Sequence, residues 1–203
     1  MPGTKVFYEA RGHGAAAPLT GGYDELAADL DAIAATQALG VSLGAHTVLR
    51  LLCAKPDRYA KVVLYLPAAL DRPPVRRDGL LAALRAGDRA AVEDWVRGEV
   101  PAGAGPNVTA YVASRTAYLL SSPGLVGVLT QLGEAPVPDP ELLAAVTADV
   151  LVLAVEGDAV HPADVGRRLA SLLPRASLVV FDRPGVMWNE RARLRDLIRT
   201  HLS

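Results

Sequence analysis

The chain has one cysteine and almost no net charge. Cys53 stands alone, so no disulfide can form within the chain, and we expect it to pack in the core. A formal charge of −1 provides no general attraction to nucleic acid or to an anionic membrane surface. The arginines near residues 72–77 and 191–199 alternate with acids or lie on an exposed helix face, which predicts a solvated surface. The sequence therefore predicts neither a nucleic-acid partner nor a membrane partner.

A leader segment and long apolar runs are also missing. Met1-Pro2-Gly3-Thr4-Lys5 has neither the basic nor the apolar region of a secretory signal. No apolar run reaches the ~18 residues that cross a bilayer. We therefore expect a soluble, cytoplasmic protein. Metal-ligand spacings, phosphate-binding glycine loops and dinucleotide fingerprints are equally absent, so the sequence predicts chemistry without a cofactor.

Short apolar runs and helical patterns alternate along much of the 203 residues. The runs predict strands at residues 5–8, 38–41, 62–66, 150–155 and 177–181. The helical patterns cover residues 23–35, 44–54, 162–173 and 190–201. Such alternation is typical of an α/β fold with a doubly wound, mostly parallel sheet that is covered on both faces.

This alternation stops between residues 69 and 148, where helical patterns are separated by turns rich in proline and glycine. Ligands of open α/β folds bind at the carboxyl ends of the strands. We therefore interpret the segment as a helical cap that shapes a pocket, with a plain helical layer as the alternative. The predicted organisation is an α/β core in residues 1–68 and 149–203, with the cap in residues 69–148.

Ser42 lies between Gly40 and Gly44, where an apolar run meets a helical pattern. This spacing is the sequence form of a nucleophile elbow, in which the two glycines prevent collisions across a tight strand-to-helix turn. Ser42 would then lie at a helix N-terminus, where the Leu43 amide can stabilise a developing oxyanion. The alternative is an ordinary N-cap serine in a glycine-flanked turn.

Several motifs, in this order, resemble the α/β-hydrolase superfamily and together cover nearly the whole chain. They are Arg11–Gly14, Tyr23–Leu30, Gly40–Gly44, Pro56–Leu64 and Val150–Asp158. The resemblance implies a hydrolase with Ser42 as nucleophile and Asp158 as catalytic acid. The implied substrate is a small molecule with an ester, thioester or similar acyl group.

Two features depart from the family pattern. Members usually begin with additional strands, so the sheet here must pair differently, belong to a truncated chain or recruit another chain, for example in a homo-oligomer. The family's general-base histidine usually follows a glycine after the last strand, and Val186 occupies that position. These departures leave a second function open, a catalytically inactive relative that binds a small ligand or a partner subunit. A lyase or isomerase reaction is a third.

His161 is the best candidate for the missing base. It follows Asp158 by three residues, at the carboxyl end of a predicted strand, and precedes Pro162, which suits the first position of a helix. From there its imidazole could turn toward Ser42 while Asp158 orients it. The alternative is a histidine that only caps the helix or contacts the loop.

The other three histidines have weaker claims. His46 follows the elbow on the same helix and is expected to pack there, and His13 belongs to a turn whose histidine is usually structural in the family. His201, two residues from the chain end, is expected to be exposed to solvent. Asp71 is an alternative position for the acid.

Overall fold

The described part of the chain has a sheet of four parallel strands, in which each strand pairs with the next one along the chain. A computed structural model describes residues 4–203. The expectation that the chain has no secretory signal rests partly on Met1, Pro2 and Gly3, which lie outside the described residues. The strands are β1 (Gln37–Val41), β2 (Lys61–Tyr65), β3 (Asp149–Val155) and β4 (Ala176–Phe181). The predicted α/β fold with a parallel sheet is confirmed.

The helices follow the predicted patterns closely, with ends shifted by a few residues. Outside the long insertion they are α1 (Gly22–Asp31), α2 (Leu43–Ala54), α7 (Ala163–Leu172), α8 (Val186–Asn189) and α9 (Arg191–His201). Between β2 and β3 lie α3 (Asp78–Ala86), α4 (Arg89–Gly98), α5 (Val108–Leu120), α6 (Leu125–Gln131) and a 3₁₀ helix (Pro140–Ala145). Within residues 4–203, no helix has the length and apolar character needed to cross a membrane.

The central strands are buried on both faces. On one face, Val62 and Val150 pack with α2 and α7 in a large apolar cluster. On the other face, Val63 and Leu151 pack with Leu194 of α9. A strand that is covered on both sides gains free energy from every apolar residue, at about 25 cal/mol per Å² buried. This explains why β2 and β3 are continuous apolar runs.

The four helices α3–α6 form a third apolar cluster together with α1. Tyr23 and Leu26 of α1 are fully buried there, against residues such as Leu80, Val96 and Val112. The helical segment therefore packs against the α1 side of the sheet domain. Its position, after β2 and before β3, brings its residues toward the carboxyl ends of the strands.

The predicted first strand, residues 5–8, is not formed. Residues 4–10 have no regular secondary structure, and Phe7 is 93% exposed. Lys5 lies over α9 and not beside β1. An isolated strand is unstable without a neighbour that pairs with its backbone. Consequently β1 is an edge of the described sheet, and its Leu39 and Val41 are 44% and 46% exposed.

One of the two elbow glycines is sterically required, and the other is not. A Cβ at Gly40 would lie 2.4 Å from the carbonyl oxygen of Gly44 and 2.6 Å from the amide nitrogen of Ala45. A Cβ at Gly44 would meet nothing within 4 Å. The expectation that both glycines prevent a collision is therefore right for Gly40 and wrong for Gly44. Gly40 allows β1 to approach the first turn of α2.

We predict opposite effects of alanine at these two positions. Gly40→Ala forces backbone atoms apart, so we expect it to lower the free energy of unfolding by more than about 2 kcal/mol. Gly44→Ala adds a good helix former in open space, so we expect no loss and a gain of up to about 1 kcal/mol. Urea unfolding followed by circular dichroism measures both. Similar losses in the two variants would contradict the steric argument.

Candidate active site

Ser42 has an unusual backbone conformation at the junction of β1 and α2. Its φ is 52°, in the left-handed region that non-glycine residues rarely adopt. Its amide donates to the carbonyl of Tyr65, 2.9 Å away, and its carbonyl accepts from the amide of His46. These bonds hold a conformation that costs on the order of 1–3 kcal/mol by itself. Leu66, directly after β2, also has a positive φ, 54°, and no sequence pattern had indicated it.

Leu43 is the first residue of α2, directly after the serine. Amides in the first turn of a helix have no carbonyl partner within that helix. The positive end of the helix dipole adds to their preference for an anion. The Leu43 amide is therefore available next to Ser42, at the place where the sequence predicted an oxyanion donor.

The structure brings His161 to Ser42. Nε2 of His161 lies 2.9 Å from Oγ of Ser42, although the two residues are 119 positions apart in sequence. His161 belongs to the turn between β3 and α7, and its side chain is 14% exposed. Pro162, which the sequence predicted as the first residue of this helix, lies one residue before α7 begins. The distance is that of a hydrogen bond in which the serine hydroxyl donates to the imidazole.

Asp158 binds the opposite side of the same imidazole. Nδ1 of His161 lies 3.2 Å from Oδ2 and 3.3 Å from Oδ1 of the carboxylate. Oδ1 also accepts the amides of Val160 and His161, both at 2.9 Å. Asp158 thus closes the turn and orients the ring.

The protonation states of this group follow from its hydrogen bonds. Burial raises the pKa of Asp158, but hydrogen bonds from the His161 ring and from two backbone amides outweigh it, so the pKa lies below its usual value. The carboxylate therefore accepts the proton on Nδ1. This leaves the lone pair of Nε2 directed at Ser42, which is the tautomer that a general base requires.

His46 has a different role, under the site. It is 2% exposed, and its Nε2 accepts the amides of Ala68 and Ala69, each 3.0 Å away. Since both amides donate to Nε2, the proton of the neutral ring lies on Nδ1, which donates to the Tyr23 hydroxyl at 3.1 Å. Burial lowers the pKa of His46 to about 3. His46 thus fixes the loop after β2 to α2.

The remaining candidates lie apart from Ser42 in the described structure. Nδ1 of His13 contacts the carbonyl of Arg11, and the Asp71 carboxylate pairs with Arg168 at 2.7 Å. His201, expected to be exposed, is half-buried with Nε2 3.0 Å from the carbonyl of Asp149, because α9 packs across the start of β3. Val186 is 3% exposed in the apolar cluster beneath α9.

One arginine differs from the predicted solvated surface. Arg77 precedes α3, is only partly exposed, and its guanidinium carbon lies 5.5 Å from the centre of the Trp95 ring. No sequence pattern indicated this burial, because an arginine before a helix is usually exposed. Arg77 instead packs on Trp95 of α4, within the helical segment.

Comparisons with known proteins find similarity in structure alone. No family model matches the sequence, and no curated protein matches it either. A 2-hydroxy-6-oxo-6-phenylhexa-2,4-dienoate hydrolase from a Rhodococcus species has a TM-score of 0.77 at 21% identity, over 96% of this chain and 78% of the other. An esterase from Exiguobacterium antarcticum has a TM-score of 0.75 at 21% identity, over 96% and 80%. A hydrolase from Pseudomonas aeruginosa has a TM-score of 0.74 at 26% identity, over 97% and 78%.

The buried His46 predicts a specific loss of stability in acid. Its pKa is about 3 in the folded protein and near 6.5 when unfolded, so the unfolded chain binds more protons between these values. The contribution of neutral His46 to the free energy of unfolding is complete above about pH 6.5. It is lost as the pH falls toward 3, by up to about 1.4 kcal/mol per pH unit.

Urea unfolding at several pH values measures this slope. We expect His46→Gln to reduce it, because glutamine can accept the amides of Ala68 and Ala69 but does not titrate. His13→Gln is the matched control and should retain the wild-type slope. An unchanged slope in His46→Gln between pH 6 and 4.5 would contradict the prediction.

Proposed function

Because the chain has the α/β-hydrolase fold, we propose that it is a hydrolase that cleaves ester, thioester or related acyl substrates through Ser42. One observation supports this above all others. Nε2 of His161 lies 2.9 Å from Oγ of Ser42, and Nδ1 of the same ring lies 3.2 Å from the Asp158 carboxylate. A nucleophile, a base and an orienting acid are thereby aligned.

Acylation uses each of these groups once. The Ser42 hydroxyl gives its proton to Nε2 of His161 as its oxygen attacks the acyl carbon. The tetrahedral oxyanion forms next to the Leu43 amide, which stabilises it more than the planar ester. The C–O or C–S bond to the leaving group then breaks, and the departing alcohol or thiol takes the proton from His161. Ser42 remains as an acyl ester.

Deacylation repeats the sequence with water. His161 removes a proton from the water molecule, which attacks the acyl carbon. The bond to Oγ of Ser42 breaks, and the imidazolium returns its proton to the serine. Asp158 stays ionised throughout, because its role is to hold the ring and to stabilise its positive charge. The helices α3–α6 would act as a cap that limits water around this site.

The alternative is a catalytically inactive protein that binds a small ligand in the same cleft. It was favoured by Val186 at the family's histidine position. His161 weakens this reason to expect an inactive protein, because its imidazole lies in hydrogen-bond contact with Ser42. Ligand binding without catalysis is therefore the second candidate function. The reactivity of Ser42 distinguishes it from the hydrolase function.

We predict that a fluorophosphonate probe labels the wild-type protein and does not label Ser42→Ala. Ser121→Ala is the control, because this serine is exposed at the end of α5. Hydrolysis of 4-nitrophenyl butyrate should fall at least about a thousandfold in Ser42→Ala. A folded wild-type protein that is neither labelled nor active would contradict the proposal and favour the ligand-binding alternative.

The base is tested separately. We expect His161→Gln to lower the rate of labelling and kcat by at least about a hundredfold, because the serine loses its proton acceptor. His13→Gln should leave both unchanged, since His13 contacts the Arg11 carbonyl. Activity that survives His161→Gln and is lost in His13→Gln would assign the base to the other histidine.

A further inference from the structure

The helical segment contains two arginines that lie against aromatic rings. Arg77 precedes α3, and Arg115 lies on α5 with its guanidinium carbon 5.6 Å from the centre of the Tyr118 ring. Both are partly buried. Trp95 supports Arg77 in a similar way, at 5.5 Å. Aromatic faces fix the position of a guanidinium group without engaging its N–H donors.

These donors lack protein partners in the described part of the chain. Arginines elsewhere are paired, for example Arg50 with Asp24 at 2.6 Å and Arg58 with Asp31 at 2.7 Å. Among residues 4–203, no carboxylate oxygen lies within 4.0 Å of Arg77 or Arg115, and no hydrogen bond from either is present. Among the described residues neither guanidinium group has a fully buried nitrogen without a partner. A carboxylate that replaces water at these donors would gain charge-assisted hydrogen bonds.

Arg77 lies within electrostatic range of Asp158, and both arginines lie within range of Glu99. Burial lowers the pKa of Arg77, and the nearby charges of Glu99 and Asp158 oppose this effect. Glu99, which is exposed, lies within range of the charges of Arg115, Arg77 and His161. These mutual effects place the arginines, Glu99 and the His161–Asp158 pair in one electrostatic neighbourhood.

We propose, on the basis of the hydrolase function above, that Arg77 and Arg115 bind a free carboxylate of the acyl substrate. The preferred substrates would then be esters that also contain an ionised carboxylate, such as half-esters of dicarboxylic acids. Apart from the Asp158–His161 pair, whose carboxylate and imidazole are bonded to each other, the two guanidinium groups and the Glu99 carboxylate leave one positive charge. A substrate with a single negative charge complements it.

Carboxylate recognition suits this chemistry for two reasons. The planar guanidinium group matches a carboxylate with two parallel hydrogen bonds, so it fixes orientation as well as position. Both arginines lie outside the chain of hydrogen bonds that joins Asp158, His161 and Ser42. They can therefore bind a remote end of the substrate while the ester reaches Ser42, and binding energy gained there serves to orient the reacting group.

The test compares half-esters with neutral esters of similar size. The 4-nitrophenyl half-esters of succinic, glutaric and adipic acid sample different distances between ester and carboxylate, and 4-nitrophenyl butyrate, pentanoate and hexanoate are their neutral counterparts. We expect kcat/KM of the wild-type protein to be at least about tenfold higher for the best half-ester, mainly through a lower KM.

The variants are Arg77→Met, Arg115→Met and the double substitution. Methionine retains the apolar stem that packs on the aromatic ring but removes the charge. We expect each to reduce the ratio of half-ester to neutral-ester kcat/KM at least about threefold, and the double variant to abolish the preference. Arg97→Met is the control, because this arginine is exposed on α4 and pairs with Glu93.

The outcomes separate the two proposals. Hydrolysis of neutral esters without a preference for any half-ester would overturn carboxylate recognition and leave the hydrolase function intact. A preference that persists in the folded double variant would also overturn it. A folded wild-type protein that hydrolyses neither class would contradict the hydrolase function itself, and carboxylate recognition would fall with it.

Discussion

The close approach of β1 to the first turn of α2 determines where Ser42 lies. Gly40 has no side chain at the point where a Cβ would collide with Gly44 and Ala45. With the strand and helix in contact, Ser42 must bridge them with a positive φ, and the carbonyl of Tyr65 fixes its amide. A less crowded junction would let the serine relax into an ordinary cap, directed away from the turn after β3.

The parallel sheet explains how a histidine from β3 can meet that serine. Neighbouring strands lie about 4.8 Å apart, so β1 and β3, with β2 between them, are separated by about 10 Å. The register pairs Val41 with Tyr65 and Tyr65 with Leu153, so the three strands end at one edge. A turn that begins there is long enough for His161 to span the gap. The turn after β4, where Val186 is buried, does not need to supply the imidazole.

The sequence was most informative where local pattern and burial agree. The strands of the sheet, the elbow and the Asp158–His161 spacing were all visible, because apolar runs and a glycine-flanked serine reflect backbone requirements. Residues 5–8 were mistaken for a strand, since the apolar character of Val6 and Phe7 says nothing about whether a neighbouring strand is present. The partial burial of Arg77 and the amide bonds of His46 depend on tertiary contacts between distant segments, which no local pattern records.

The Asp158 carboxylate accepts the backbone amides of Val160 and His161 as well as the His161 imidazole proton, all within one turn. Ser42, His161 and Asp158 form one chain of hydrogen bonds. Here two of them form a single rigid unit, preceded by Gly157 with a φ of 71°. Thermal motion of that turn can change the distance between the His161 imidazole and the Ser42 hydroxyl. It hardly changes the geometry between the imidazole and the Asp158 carboxylate. The alignment of the three groups therefore depends on one distance, that between Nε2 of His161 and Oγ of Ser42. We expect the reactivity of Ser42 to depend on this distance.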